Sequence, residues 1–221
     1  IAYDGNYNSE TESVLTVLDV SNLIEGYHTL YLRARDSANK WGDIKSVRFM
    51  YDKTAPKIED VRVENLRGSA ISKQGDVLRV SAVIREEMSE LSTNQPVLNS
   101  VGIDGNINNI MKDNGTGGDS AANDMRYSLT ITVNNTADTM NASIKITATD
   151  TQGNSRTVIY EGIKIDVTAP TINSIQSLDV DTIYKNNETI KFKVNSTESG
   201  LDIDAYFDTI DINYVKGSEN V

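Results

Sequence analysis

The chain repeats itself. Asp52-Lys53-Thr54-Ala55-Pro56 recurs as Asp166-Val167-Thr168-Ala169-Pro170, and the same 114-residue step carries Leu30-Tyr31-Leu32-Arg33-Ala34-Arg35-Asp36 onto Ile144-Lys145-Ile146-Thr147-Ala148-Thr149-Asp150. It also carries Leu15-Thr16-Val17 onto Leu129-Thr130-Ile131. Three separated matches in one register set a period that any fold must respect: one supersecondary pattern is used more than once in this chain.

Each matched stretch alternates. Leu30, Leu32 and Ala34 fall on one side of an extended chain, with Tyr31, Arg33 and Arg35 on the other. Tyr127, Leu129, Ile131 and Val133 stand in the same way against Ser128, Thr130 and Thr132. Successive side chains of a strand point to opposite faces, so this period of two predicts half-buried antiparallel strands. Further strands are predicted near residues 58–64, 77–84, 99–104, 157–164, 171–176, 189–195 and 209–215, separated by Gly, Asn, Asp and Ser, and no helical stripe interrupts them. Short strands at this spacing give an all-β sandwich or barrel. A unit of 114 residues lies close to the ~100 of an immunoglobulin-type sandwich.

The repeat is cut out of phase with the chain. Ile1-Ala2-Tyr3-Asp4-Gly5-Asn6 matches Val101-Gly102-Ile103-Asp104-Gly105-Asn106, a hairpin in mid-repeat, and Ile212-Asn213-Tyr214-Val215-Lys216-Gly217 looks like another copy. The expected organisation is therefore tandem sandwiches, one complete and two partial. Residues 1–54 form the C-terminal half of one domain, residues 55–168 a complete domain, and residues 169–221 the N-terminal half of a third. Half a sandwich leaves an apolar face and edge strands bare. Either the chain is an excerpt from a longer array, or a terminal half completes the opposite half of a neighbouring copy in a head-to-tail filament. The partners implied are neighbouring domains of the same array or other copies of the chain.

Charge and composition exclude several other roles. Asp and Glu number 32 against 21 Lys and Arg, a net charge of −11. That is the wrong sign for nucleic acid, which is held by cationic side chains on phosphates. Cysteine is absent and histidine occurs once, so disulfides, thiolate metal sites, a cysteine nucleophile and multi-histidine centres are ruled out. No apolar run approaches the ~20 residues of a membrane span, and no signal-like segment opens the sequence. The residue pattern points to no reaction, and a non-enzymatic role is expected.

Gly26-Tyr27-His28-Thr29-Leu30-Tyr31-Leu32-Arg33-Ala34-Arg35-Asp36 followed by Asp-x-Thr-Ala-Pro, together with Ala148-Thr149-Asp150-Thr151-Gln152-Gly153-Asn154, resembles the tandem immunoglobulin-like domains of large prokaryotic surface and secreted proteins. The resemblance covers most of the chain. It implies that Ala-x-Asp-x-x-Gly-Asn closes a late hairpin and that Asp-x-Thr-Ala-Pro marks the joint to the next domain. The first copy departs from the pattern: Ala38-Asn39-Lys40 stands where the glycine belongs, so a differently built turn is expected there. Such modules occur in surface-layer proteins, adhesins, sheath and filament subunits, and as accessory domains of secreted hydrolases. Asn-x-Ser/Thr sequons at Asn114, Asn134, Asn141, Asn187 and Asn195 are candidate glycosylation sites on an exported chain. With low cysteine and acidity, they point to an extracellular, cell-surface or envelope location, and to an archaeal surface-layer protein in particular.

The most distinctive segment, residues 111–124, is 14 residues longer than its counterpart in the first copy. Carboxylates and carbonyls on a Gly-rich turn suit Ca²⁺, which takes six to eight oxygens in flexible geometry. Asp113, Asp119 and Asp124 are the candidate ligands, with Asn114 or Asn123 as neutral donors. The competing reading is a plain turn, because Asp and Asn also close turns by accepting backbone amides. The acids Asp36, Asp52, Asp150 and Asp166 recur in register, and the same two readings apply: a Ca²⁺ ion between domains, or hairpin and turn hydrogen bonding. His28 reads as structural, and Glu86, Glu87 and Glu90 read as a solvated turn. Trp41 reads as cover for a sandwich end, or as a surface for stacking a sugar.

Overall fold

The computed structural model describes residues 13–36, 38–180, 183–185, 187–199, 201–205 and 215–216. Among them all regular structure is strand, and no helix is long and apolar enough to cross a membrane. The chain divides into two compact units, Ile1–Asp166 and Val167–Val221. The first holds β1 (Gly26–Leu32), β2 (Lys45–Tyr51), β3 (Lys57–Asn65), β4 (Val77–Arg85), β5 (Val97–Asn99), β6 (Asn109–Ile110), β7 (Arg126–Thr132), β8 (Thr139–Thr149) and β9 (Ser155–Ile165). The second holds β10 (Ile172–Ser177), β11 (Phe192–Ser196), β12 (Asp204–Ala205) and β13 (Val215–Lys216).

Strands β3 to β9 form two antiparallel sheets, ordered β3-β4-β7 and β6-β5-β8-β9. Alternation decides which side chains enter the core. Leu78, Val80, Ala82 and Ile84 of β4 are buried, as are Ala142, Ile144, Ile146 and Ala148 of β8. Ile58, Leu98, Ile131, Ile163 and Ile165 add to this interior from β3, β5, β7 and β9. Each large aliphatic side chain so buried stabilises the fold by about 1.5–3 kcal/mol. The sheets are joined at their margins. Ser72 bridges Ile165 in parallel, with Ser72 N donating to Lys164 O at 2.9 Å and Asp166 N to Ser72 O at 2.8 Å, and Lys112 bridges Ser128. The architecture is all-β and consistent with a β-sandwich.

Most predicted strands fall where alternation places them, with three exceptions, the first being Leu15-Thr16-Val17, which forms no strand and is exposed. The strand expected at residues 99–104 lies earlier, at Val97–Asn99, and residues 101–105 form a turn. Asp104 is the cause: its carboxylate accepts Ser100 Oγ at 2.8 Å, Asn106 N at 3.0 Å and Asn106 Nδ2 at 2.9 Å, a self-closing Asx arrangement. Ile103 enters the core from this turn, only 2% exposed, which is why the segment imitates a strand. The strand expected at 189–195 begins later, as Phe192–Ser196. Residues 209–214 of the last predicted strand lie outside the described residues, as do the terminal matches at 1–6, 212–214 and 217.

The 114-residue step is visible in the backbone. In the β1–β2 turn Lys40 N donates to Asp36 Oδ1 at 2.8 Å, and Asp36 N to Lys40 O at 3.0 Å. In the β8–β9 turn Asn154 N donates to Asp150 Oδ1 at 2.9 Å, and Asp150 N to Asn154 O at 3.0 Å. The pairs Arg35–Trp41 and Thr149–Ser155 flank the two turns at equivalent positions. The differently built first turn expected from Ala38-Asn39-Lys40 is not made. Asn39 adopts φ 66° where Gly153 has φ 91°, because Asn tolerates the left-handed region better than most residues. The hairpins differ in cover: Ala142, Ile144, Ile146 and Ala148 are buried, whereas His28 and Leu30 are half-buried and Leu32 and Ala34 exposed. His28 packs on Phe49 with ring centroids 5.7 Å apart, and its Nε2 lies 2.7 Å from Ile24 O.

In the second unit β10 and β11 pair antiparallel, with a register shift between Ile172 and Ser174; β3 and β4 shift between Glu59 and Arg62, also early in the first strand.

One buried carboxylate ties the entry of β4. Asp76 accepts Arg67 Nε at 3.0 Å and Nη2 at 2.8 Å, Asn65 Nδ2 at 2.8 Å and Lys73 N at 3.0 Å. The Arg67 guanidinium, helped by those two amides, holds the Asp76 carboxyl well below the usual carboxylate range despite its burial. A depressed folded-state pKa means the stabilisation is present above the unfolded value near 3.9 and disappears as pH falls through the folded one. Asp76→Ala is expected to cost on the order of 2 kcal/mol at neutral pH. Denaturant titrations at pH 7 and in strong acid should give a parent–variant difference that shrinks towards the acid end.

Candidate functional site

The 111–124 loop is anchored by Met111, only 1% exposed, and by the Lys112–Ser128 bridge. Beyond it the chain folds on its own acids. Asp113 Oδ1 accepts Asp124 N at 3.1 Å and Oδ2 accepts Met125 N at 2.9 Å, while Asp119 Oδ2 accepts Gly115 N at 2.6 Å. Asp113, Asp119 and Asp124 each bring a carboxylate oxygen within 4.8 Å of the others, so the predicted trio does converge. Asp119 is buried and its Oδ1 has no hydrogen-bond partner. Burial, then the Asp113 charge, pushes the Tyr127 hydroxyl up. Gly117 O accepts Thr130 N at 3.0 Å, which lays the loop against β7.

A second convergence of acids lies at the β2–β3 connection. Asp52, Glu86 and Asp150 also bring carboxylate oxygens within 4.8 Å of one another. Asp150 is fully buried and Asp52 is 8% exposed. Asp150 Oδ1 accepts Gln152 N at 2.8 Å and Asn154 N at 2.9 Å, and its Oδ2 accepts Asn154 Nδ2 at 2.8 Å. Asn154 Nδ2 also reaches Asp52 O at 3.3 Å. Glu86 Oε1 accepts Met88 N at 2.9 Å and Ser89 N at 3.3 Å. Asp36 and Asp150 thus accept hairpin amides, and Asp52 starts the turn by accepting Thr54 N at 3.1 Å.

The sequence reading missed Glu86, which it set on a solvated turn with Glu87 and Glu90. Glu87 does pair with Lys57 on the surface, and Glu90 is exposed. Glu86, however, continues the inward phase of Leu78, Val80, Ala82 and Ile84 by one more step of two, and it is half-buried. That phase was the available signal. Trp41 is 53% exposed, and the guanidinium carbons of Arg33 and Arg35 lie 4.0 and 5.3 Å from its ring centroid. The sequon residues Asn114, Asn134, Asn141, Asn187 and Asn195 are all exposed. Asn114 Oδ1 is used within its own turn, accepting Thr116 N at 3.0 Å and Thr116 Oγ1 at 2.7 Å.

No protein-family model, curated protein or solved structure matches this chain.

Loop placement depends on a glycine that has no substitute. Gly118 has φ 102°, and a Cβ there would sit 2.8 Å from Thr130 Cγ2 and 3.2 Å from Thr130 N. Gly118→Ala is expected to cost about 1–3 kcal/mol from backbone strain and overpacking together. Gly102→Ala, with open space around it and no positive φ, is the control. Chemical denaturation of both variants checks the contrast.

Proposed function

We propose that the chain is a structural module of an exported, archaeal cell-envelope protein. In this reading immunoglobulin-like sandwiches recur every 114 residues and act as a semi-rigid spacer or assembly element of a surface layer, sheath or filament. The observation that carries the reading is the reuse of one hairpin-and-joint unit, down to equivalent carboxylate–amide bonds at Asp36 and Asp150. Stiffness at the first joint follows from its chemistry. Proline fixes φ and disfavours helical geometry in the residue before it, and Pro56 is fully buried. Glu25 Oε1 accepts Lys53 N at 2.8 Å and Thr54 Oγ1 at 2.7 Å, bonds that hold the Glu25 carboxyl below its ordinary range.

An acidic, cysteine-free composition and exposed sequons suit an exported glycoprotein. Within the same reading the 111–124 loop takes Ca²⁺ at Asp113, Asp119 and Asp124, in the extracellular affinity range of ~10⁻⁴–10⁻³ M. An adhesin is the second reading, and exposed Trp41 is what favours it; the arginines over its ring compete for the surface a sugar would stack on.

Protease shaving of intact source cells, with mass spectrometry of the released fragments, tests the proposal. Peptides of this chain should appear before lysis, some carrying glycan on the sequons. Recovery only after lysis would remove the envelope role. Saturable glycan binding abolished by Trp41→Ala would favour the adhesin.

A further inference from the structure

We propose that Asp52, Glu86 and Asp150 form a Ca²⁺ site that locks the first joint, fastening the β1–β2 hairpin to the β3–β9 body. This goes beyond the spacer reading and uses none of the 111–124 residues. The three acids come from separate parts of the chain: Asp52 from the joint after β2, Glu86 from the position following β4, and Asp150 from the β8–β9 turn. Their oxygens converge within 4.8 Å. Among the described residues no ion pair reaches any of the three; Lys57, the cation nearest the joint proline in sequence, pairs with Glu87 at 3.0 Å.

The independent sign of a ligand is an unsatisfied acceptor. Asp52 is 8% exposed, its Oδ1 accepts Thr54 N at 3.1 Å, and its Oδ2 is buried with no partner. Buried polar atoms are nearly always paired, so a donor-less buried carboxylate oxygen on a residue clustered with two further carboxylates indicates a missing electropositive partner. Each acid is meanwhile oriented by N–H donors and keeps lone pairs to spare, since a carboxylate offers about four acceptor sites.

An all-oxygen set of carboxylates suits a hard divalent cation. Ca²⁺–oxygen distances of about 2.4 Å let opposed ligands stand about 4.8 Å apart, whereas Mg²⁺ requires about 2.1 Å and near-ideal octahedral geometry. One ion would offset most of the negative charge collected there and cross-link three segments at once.

The test is equilibrium dialysis with CaCl₂, combined with amide hydrogen exchange in Ca²⁺ and in EDTA, on the intact chain and on Asp52→Asn, Glu86→Gln and Asp119→Asn. At Ca²⁺ ten times the dissociation constant, exchange at residues 52–54 in the parent should slow by about 11-fold. Asp52→Asn and Glu86→Gln should each bind one ion fewer and lose that slowing, while Asp119→Asn keeps it. In EDTA the first two variants should melt no lower than the parent, because each removes a repelling charge; Glu86 is half-buried in the position following β4, so its variant guards against a folding failure at Asp52. Equal ion counts in parent, Asp52→Asn and Glu86→Gln, or joint exchange indifferent to Ca²⁺, would overturn the site. Neither result depends on where the protein resides, so failure of the envelope role would leave this outcome readable.

Discussion

The carboxylate of Asp150 and the amides it gathers are the interaction on which the rest of the first unit depends. A fully buried acid is costly unless its oxygens are satisfied, and here Gln152 N, Asn154 N and Asn154 Nδ2 satisfy them. Those contacts fix the β8–β9 turn, and the turn fixes register. A slip of one residue would turn Lys145, Thr147 and Thr149 inward in place of Ile144, Ile146 and Ala148. Its main chain is engaged too: Asp150 bridges Leu91, and its carbonyl accepts Ser92 Oγ. One residue therefore coordinates a hairpin, a sheet face and the β4–β5 connection.

The architecture was legible in the sequence wherever period-two alternation met a repeated motif. β4 and β8 could be located because their inward residues are aliphatic without exception at the centre of each strand. Alternation failed at residues 99–104, because Ile103 is buried from a turn that Asp104 closes on itself. The motif misled at Asn39 for a different reason: a missing glycine suggests a new turn only if no other residue can adopt positive φ, and Asn39 does. Burial and turn chemistry are separate signals, and a single sequence mixes them.

The acids show the same division. Asp113, Asp119 and Asp124 converge as expected, because a short Gly-rich loop keeps its own residues close. Asp52, Glu86 and Asp150 are widely separated in the chain, and no local pattern announces their meeting; only the fold of β4 and β8 brings them together at the β2–β3 connection. The register of the repeat pairs Asp36 with Asp150 and Asp52 with Asp166, whereas in space Asp52 finds Asp150. A repeat tells which residues are alike, and the sheet topology tells which residues are neighbours.

The outer strand β3 has a consequence for a chain that repeats its own segments. It lies at the margin of its sheet, bears Lys57, Glu59, Asp60, Arg62 and Glu64 on exposed positions, and is bent by the shift between Glu59 and Arg62. Tethered copies of one strand meet at millimolar effective concentrations, where swapping between neighbours is the characteristic misfolding route. A charged, kinked border is a poor template for such an exchange. Within one chain, β3 and its 114-residue counterpart β10 each keep to their own partner, β4 and β11.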